Sequence, residues 1–193
     1  MTGYDVIIAG AGPAGTAAAA VLARAGARVL ALDRAEFARD KLCAGLLTWK
    51  TVRTIERVFA RSPEALKVSG VINFESSRYR IRHLGQELSC ESLVYPFHFV
   101  ERRVFDAFCL ERAREAGAEV ALGEAVASVD PARGVVRTEL GREVRARYVI
   151  GADGALSAVR AGLGVDPALW RPQQGMGLEL YLPRTWIDSR TGL

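Results

Sequence analysis

Apolar positions run unbroken at the start of the chain, recur every three or four residues after it, and then alternate loosely. Tyr4-Asp5-Val6-Ile7-Ile8-Ala9 is a short β-branched run ended by glycine, the pattern of a parallel strand buried on both faces. The alanine-rich stretch from Pro13 to Ala25 predicts a helix, with proline in its first turn and Gly26 ending it. Arg28-Val29-Leu30-Ala31-Leu32 predicts the next strand, with Asp33 at its end. Together these make a β-α-β unit of the kind that builds a doubly wound sheet.

The pattern then changes. Residues 34–47 have no periodicity, and Thr48 to Ala60 predicts a helix with Val52, Ile55, Val58 and Phe59 on one face. Lys67–Glu75, Tyr79–His83 and Leu93–Val100 read as strands that leave the first sheet and begin a second. Arg103 to Ala116 predicts an amphipathic helix closed by Gly117, followed by a strand over Glu119–Leu122. Ala125–Val129, Gly134–Leu140 and Glu143–Ala146 predict a β-meander. Arg147–Ala152 predicts a last buried strand, Ser157–Gly162 a short helix, and Gly177–Leu182 a further strand.

Composition bounds this picture. Half of the 193 residues are apolar and a quarter charged, which suits one sizeable domain or part of a larger one. The net charge of +4 is scattered. Arg53, Arg57 and Arg61 fall on one predicted helix, and Arg78, Arg80 and Arg82 on one predicted strand. Such spacing describes a solvated face rather than a nucleic-acid stripe, with an anionic ligand or lipid head group as the lesser reading. Cys43, Cys90 and Cys109 have no metal spacing, and neither His83 nor His98 completes a zinc set. With no signal-peptide pattern and no apolar run of membrane length, the expected compartment is the cytoplasm.

Two motifs carry the chemistry. Gly10-Ala11-Gly12-Pro13-Ala14-Gly15 sits between the first strand and the first helix. Gly10 serves the tight turn, Gly12 lets the backbone approach a pyrophosphate, and Gly15 lets helix and strand pack closely. The helix start attracts phosphate, and Asp33 lies where an acid accepts ribose hydroxyls. The second motif is Gly151-Ala152-Asp153-Gly154-Ala155-Leu156-Ser157-Ala158-Val159-Arg160, a strand, a turn and a short helix.

With a meander between them, the two motifs resemble the p-hydroxybenzoate-hydroxylase-like group of flavoproteins. The resemblance implies an α/β fold: a Rossmann-like FAD-binding domain with a three-stranded meander crossover, and the start of a mixed-sheet substrate domain. It implies FAD as cofactor, with NAD(P)H as a possible electron donor. It places Asp153 on the ribityl chain and Gly154 at a close backbone approach. Residues 1–66 and 101–165 are expected to hold FAD, with the meander over 125–146. Residues 67–100 and 166–193 are expected to start the substrate domain.

Arg102-Arg103-Val104-Phe105-Asp106 matches the group's Arg-x-x-Phe-Asp helix start, which implies Arg102 near the FAD diphosphate or ribose and a structural Asp106. Lys41-Leu42-Cys43-Ala44-Gly45-Leu46-Leu47, following Arg39-Asp40, resembles the Lys-x-Cys-Gly-Gly-x-Leu segment of the geranylgeranyl reductase family, departing at Ala44. The resemblance lays Arg34, Lys41, Cys43, Ala44 and Gly45 along the cofactor beside Pro13 and Ala14, with Cys43 near the flavin ring and a candidate proton donor. Cys90 and Cys109 are read as structural.

The activity implied is FAD-dependent reduction of isoprenoid double bonds in an apolar or prenyl-lipid substrate, which would bring the protein to a membrane periphery. An aromatic monooxygenase on the same scaffold is the alternative. A halogenase is disfavoured, because neither Trp170 nor Trp186 sits in a Trp-x-Trp-x-Ile-Pro segment. The family's later Gly-Asp-Ala segment is missing, so an inactive FAD-binding fragment, or one half completed by a second chain, is a further alternative. Tyr95, Phe97 and Phe99 share a strand face, with core packing favoured over a lipid pocket. His98 points the other way without an identifiable partner.

Overall fold

The computed structural model describes residues 3–180. Strand β1 (Tyr4–Ala9), helix α1 (Pro13–Arg24) and strand β2 (Val29–Asp33) form the predicted β-α-β unit almost residue for residue. Both faces of this unit are covered, which is why its strands read as continuous apolar runs. Val6, Ile8, Val29 and Ala31 face a helical layer. Ile7, Leu30 and Leu32 face the opposite side, against Val136 and Val144.

The helical layer consists of α1, α2 (Trp49–Phe59) and α4 (Arg102–Glu115). Helix α2 starts where Thr48 Oγ1 accepts a hydrogen bond from the Thr51 amide. Such a cap contributes about 1 kcal/mol. Burying Val52, Ile55 and Phe59, each 7% exposed or less, contributes about 1.5–3 kcal/mol apiece. The cap therefore sets the helix boundary, and packing sets its place.

Strands β6 (Glu119–Leu122), β7 (Val126–Asp130), β8 (Val135–Thr138) and β9 (Glu143–Gly151) complete a six-stranded sheet of order β6-β2-β1-β9-β8-β7. β6, β2, β1 and β9 run parallel; β7 and β8 are antiparallel. Here the structure corrects the sequence reading. The meander's third strand and the last buried strand are one strand, β9, whose Glu143–Arg145 portion pairs with β8 and whose Ala146–Gly151 portion pairs with β1. The meander is thus covalently and geometrically continuous with the centre of the sheet.

A second sheet has the order β3-β5-β4, from β3 (Leu46–Leu47), β4 (Phe74–His83) and β5 (Gln86–Phe99). The expected strand over Lys67–Glu75 is not formed. Ser62 accepts a hydrogen bond from the Ala65 amide and Pro63 opens a short helix, α3 (Pro63–Val68), so the strand begins only at Phe74. The pieces at 79–83 and 93–100 extend into one long hairpin, β5 running through Pro96 where residues 93–96 have no pairing with β4. After helix α5 (Ala158–Gly162), α6 (Pro167–Trp170) follows from the Asp166 cap, which the sequence reading missed. Residues 177–180 form no strand, and the rest of the predicted Gly177–Leu182 element lies outside the described residues.

Gly15 is where the first unit is tightest. A Cβ there would lie 1.8 Å from the Gly10 carbonyl oxygen and 3.3 Å from Ile8 Cγ2. Because the obstruction is backbone, Gly15→Ala is expected to cost about 3 kcal/mol or more. Gly26→Ala, at φ +88° in open space, should cost about 1–2 kcal/mol. Urea denaturation of the two variants against the parent chain checks the ordering.

Candidate cofactor site

Both motifs meet at the carboxyl ends of the parallel strands. The Ala152 amide donates to the Ala9 carbonyl at 2.7 Å, and the Gly10 amide to the Leu32 carbonyl at 2.7 Å. A Cβ on Gly10, whose φ is +95°, would lie 2.4 Å from the Ala152 oxygen. Residues 142 positions apart therefore abut because the first glycine has no side chain. The chain leaves β1 toward β2 on one side while β9 lies on the other, so the site occupies a topological switch point.

The three glycines differ in what requires them. Gly10 and Gly15 are demanded by the fold itself. Gly12 is the N-cap of α1 at φ −68°, an ordinary conformation, and the nearest atom to a Cβ there would be Arg39 Nη2 at 3.7 Å. Nothing in the fold forbids a side chain at Gly12; a ligand lying against the loop would. The N-terminus of α1 has no side-chain cap and no acid in its first turn, leaving amides and the positive helix end for an anion. Pro13 and Ala14 lie in this first turn, and Thr16 is the first residue to close back on Gly12.

Asp33, 7% exposed, accepts the Ala11 amide on Oδ2 at 2.8 Å and the Ala35 amide on Oδ1 at 3.0 Å. It braces the loop, and each oxygen keeps a second lone pair for a hydroxyl. Asp153 Oδ2 accepts the Ala158 amide at 2.7 Å and the Val159 amide at 3.3 Å, which pins the start of α5. Its Oδ1 is buried with no hydrogen-bond partner among the described residues. Gly154 has φ +81° with open space before it, so the turn requires glycine through its backbone conformation.

Farther along, Arg102 donates from Nε and Nη2 to the two oxygens of the fully buried Asp106, at 2.7 and 2.9 Å. The guanidinium is held charged above its ordinary range, first by these bonds and also by the neighbouring Cys43 thiol. Cys43 Sγ accepts the Gly45 amide at 3.4 Å, and the Cys43 amide donates to Glu179 Oε2 at 3.2 Å. Gly45 is required by the fold, because a Cβ at its φ of +72° would lie 2.0 Å from the Val100 oxygen. Ala44 is not among the residues at positive φ, so the departure from glycine costs nothing in the backbone. Arg34, Lys41 and Ala44 are exposed. Arg39 faces Asp106, which holds Arg102, and the Arg39 Nη2 lies 3.7 Å from where a Cβ on Gly12 would stand. Arg39 was missed by the sequence reading, since an arginine in an aperiodic loop carries no pattern of its own.

Three other expectations are corrected. Tyr95, Phe97 and Phe99 are not among the buried core residues: His98 near the end of β5 and Val100 just after it are buried, Phe97 and Phe99 are half-buried, and Tyr95 is 58% exposed. His98 has a neighbour after all, its Nδ1 lying 3.1 Å from Glu75 Oε2. Cys90 is exposed, against its reading as structural, whereas Cys109 is fully buried, in line with that reading.

The sequence matches the family described as FAD binding domain over residues 3–171. The chain belongs to this family, and FAD is its cofactor. Digeranylgeranylglycerophospholipid reductase 1 of Methanopyrus kandleri is 37% identical over 179 residues, 86% of this chain and 44% of the relative. Menaquinone reductase of Mycobacterium tuberculosis is 35% identical over 200 residues, 96% of this chain and 46% of the relative. The solved structure of the myxobacterial chondrochloren halogenase CndH, an FAD-dependent halogenase, superposes with a TM-score of 0.70 at 26% identity, covering 82% of this chain and 39% of its own. The flavoprotein chain spans under half the length of the curated relatives it matches. Among the described residues no helix is long and apolar enough to cross a membrane, and no cluster of metal-ligating side chains is found.

Two outcomes follow from this geometry. Asp106→Ala leaves the partly buried Arg102 unpaired and is expected to lower stability by about 3 kcal/mol, measured by urea unfolding without FAD. A thiol reagent should label Cys43 and Cys90 rapidly in the native flavoprotein. Cys109, whose thiol burial pushes well above its ordinary range, should react only after unfolding.

Proposed function

We propose that this chain forms the FAD-binding part of an FAD-dependent oxidoreductase that reduces carbon–carbon double bonds of an isoprenoid, prenyl-lipid substrate, with NAD(P)H as the source of electrons. The observation that carries the reading is the open apolar face of the β3-β5-β4 sheet, which begins beside Cys43. Leu46 pairs directly with Phe99, and Phe99 packs on Phe74 with ring centroids 5.6 Å apart. Phe97 meets Tyr79, and Tyr95 meets Trp49 at 5.4 Å. Leu46, Trp49, Phe74 and Tyr95 are each more than 40% exposed. A contiguous aromatic surface next to a cofactor site suits a hydrocarbon chain better than a polar substrate.

Bound and reduced, FAD supplies hydride chemistry to such a site. The chain's own residues have narrower tasks. The glycine loop, Asp33 and Asp153 orient the dinucleotide. Arg102, fixed by Asp106, lies beside the Cys43 thiol and keeps a positive charge there. Cys43 is the candidate proton donor there, since it is exposed and adjoins the aromatic face. The names of the archaeal and mycobacterial relatives, a prenyl-phospholipid reductase and a menaquinone reductase, support an isoprenoid substrate. A substrate of that kind would place the protein at a membrane surface.

The test uses the intact chain loaded with FAD and reduced under argon. Adding a geranylgeranyl phospholipid should restore the oxidised flavin absorbance, with the lipid gaining two hydrogens for each bond saturated. Reoxidation only when oxygen is admitted, with hydroxylation of an aromatic acceptor, would instead support an oxygenase on the same scaffold. Colourless protein with no FAD affinity would remove both readings.

A further inference from the structure

We propose that Arg39 is a ligand of the cofactor diphosphate, aligned for that contact by Asp33 and the buried Asp106. The inference rests on reading Gly10 to Gly15 as the diphosphate loop, and it names the side chain that completes that loop.

The Arg39 side chain is 19% exposed, yet none of its five donors makes a hydrogen bond among the described residues, and its Nε is fully enclosed without a partner. Its Nη2 lies 3.8 Å from Asp33 Oδ2 and 3.7 Å from Asp106 Oδ2. Both separations are ion-pair distances too long for hydrogen bonds. Phe37 flanks the guanidinium, with Cζ 5.0 Å from the ring centroid. The side chain is thus held from three sides while its donors remain free.

A purely structural role does not account for this arrangement. Asp106 already receives two short, charge-assisted bonds from Arg102. Asp33 already accepts two backbone amides. Asp106 needs no second cation, and although Arg39 is the cation facing Asp33 among the described residues, it gives neither acid a hydrogen bond. The direction of Arg39 supplies the missing reason. Its Nη2 is the atom nearest to where a Gly12 side chain would stand, at 3.7 Å, and Gly12 caps a helix start that has no other cap.

A diphosphate in that space would be approached from one side by the α1 amides and from the other by the planar fork of Arg39. Guanidinium geometry matches two phosphate oxygens at once, which a lysine ammonium cannot do. Asp33 and Asp106 keep the fork facing the loop rather than bulk solvent. The same arrangement makes Arg39 a residue for the diphosphate alone, with no part in holding the flavin ring.

That last point gives the test. FAD, ADP and riboflavin are titrated separately into the intact 193-residue chain and into Arg39→Gln. FAD and ADP share the diphosphate, and riboflavin lacks it. Loss of charge-assisted hydrogen bonds to an anion should weaken FAD and ADP roughly tenfold or more, with riboflavin affinity unchanged. Arg39→Lys, which keeps the charge without the fork, should fall between, and it also serves if the glutamine variant folds poorly. The inference is overturned if Arg39→Gln binds ADP as the parent does, or if all three ligands weaken equally. A parent chain with no affinity for ADP would overturn the loop assignment itself, and this inference with it.

Discussion

The structure depends on one close approach: the backbone of Gly10 against that of Ala152, locked by the hydrogen bond from the Ala152 amide to the Ala9 carbonyl. It sets how far β9 slides along β1, because the register from Tyr4–Ala146 to Ala9–Gly151 ends at this contact. Any side chain at position 10 would push the Asp153-Gly154 turn out of the crevice. The consequences reach backward as well. Since β9 is continuous with the meander, fixing its carboxyl end also fixes Val144, and through it the cover over Ile7 and Leu30. One glycine therefore couples the hydrophobic core to the geometry of the cofactor site.

Electrostatics supply the second layer of order. Asp33, Arg39, Asp106 and Arg102 alternate in sign beneath the loop. Charges this buried persist only when paired, and the four balance. Their hydrogen bonding does not balance, however. Arg102 and Asp106 satisfy each other, while Arg39 and Asp153 each keep an enclosed polar atom without a partner. Among the described residues His98 Nδ1, Arg112 Nε and Glu124 Oε1 are also enclosed without a hydrogen-bond partner, so Arg39 and Asp153 are two of five such sites. Polar groups left over in this way cost stability in the protein alone, and a ligand that engages them returns it.

Much of this was legible in the sequence. The β-α-β unit, the helix that follows Thr48, the helix before Gly117 and the short helix that follows Ser157 follow from local rules: apolar period, start signals and stop residues. Three kinds of feature did not follow. The first is continuity. Nothing between Ala146 and Arg147 tells one strand from two, because the change of partner from β8 to β1 is tertiary. The second is the side of a strand that faces solvent. Alternation places Tyr95, Phe97 and Phe99 together, and aromatic content favours the buried side. The core instead takes Val100, and His98 is the buried residue between the aromatics, leaving Tyr95 open. Arg39 escaped for a third reason, since its importance comes from convergence with residues six and sixty-seven positions away.

The distribution of demands along the crevice argues for a division of labour. At the dinucleotide end, positions are over-determined: Gly10 and Gly15 by backbone contact, Asp33 by two amides, Asp153 by a helix start. At the flavin end the constraints loosen. Gly45 is fixed by Val100, but Cys43, Ala44 and Leu46 are exposed, and the aromatic face beyond them is open. Hydride transfer and oxygen activation alike need the reacting ring shielded from water, and a face in which Phe74 is 62% exposed does not provide that shield alone. The residues described here therefore fix the geometry of the candidate site, whereas on the proposed reading the choice between reducing an alkene and activating oxygen depends on how the aromatic face is shielded. Similarity to reductases and to a halogenase at once is what such a division predicts, because relatives can share the rigid end of the site and differ at the open one.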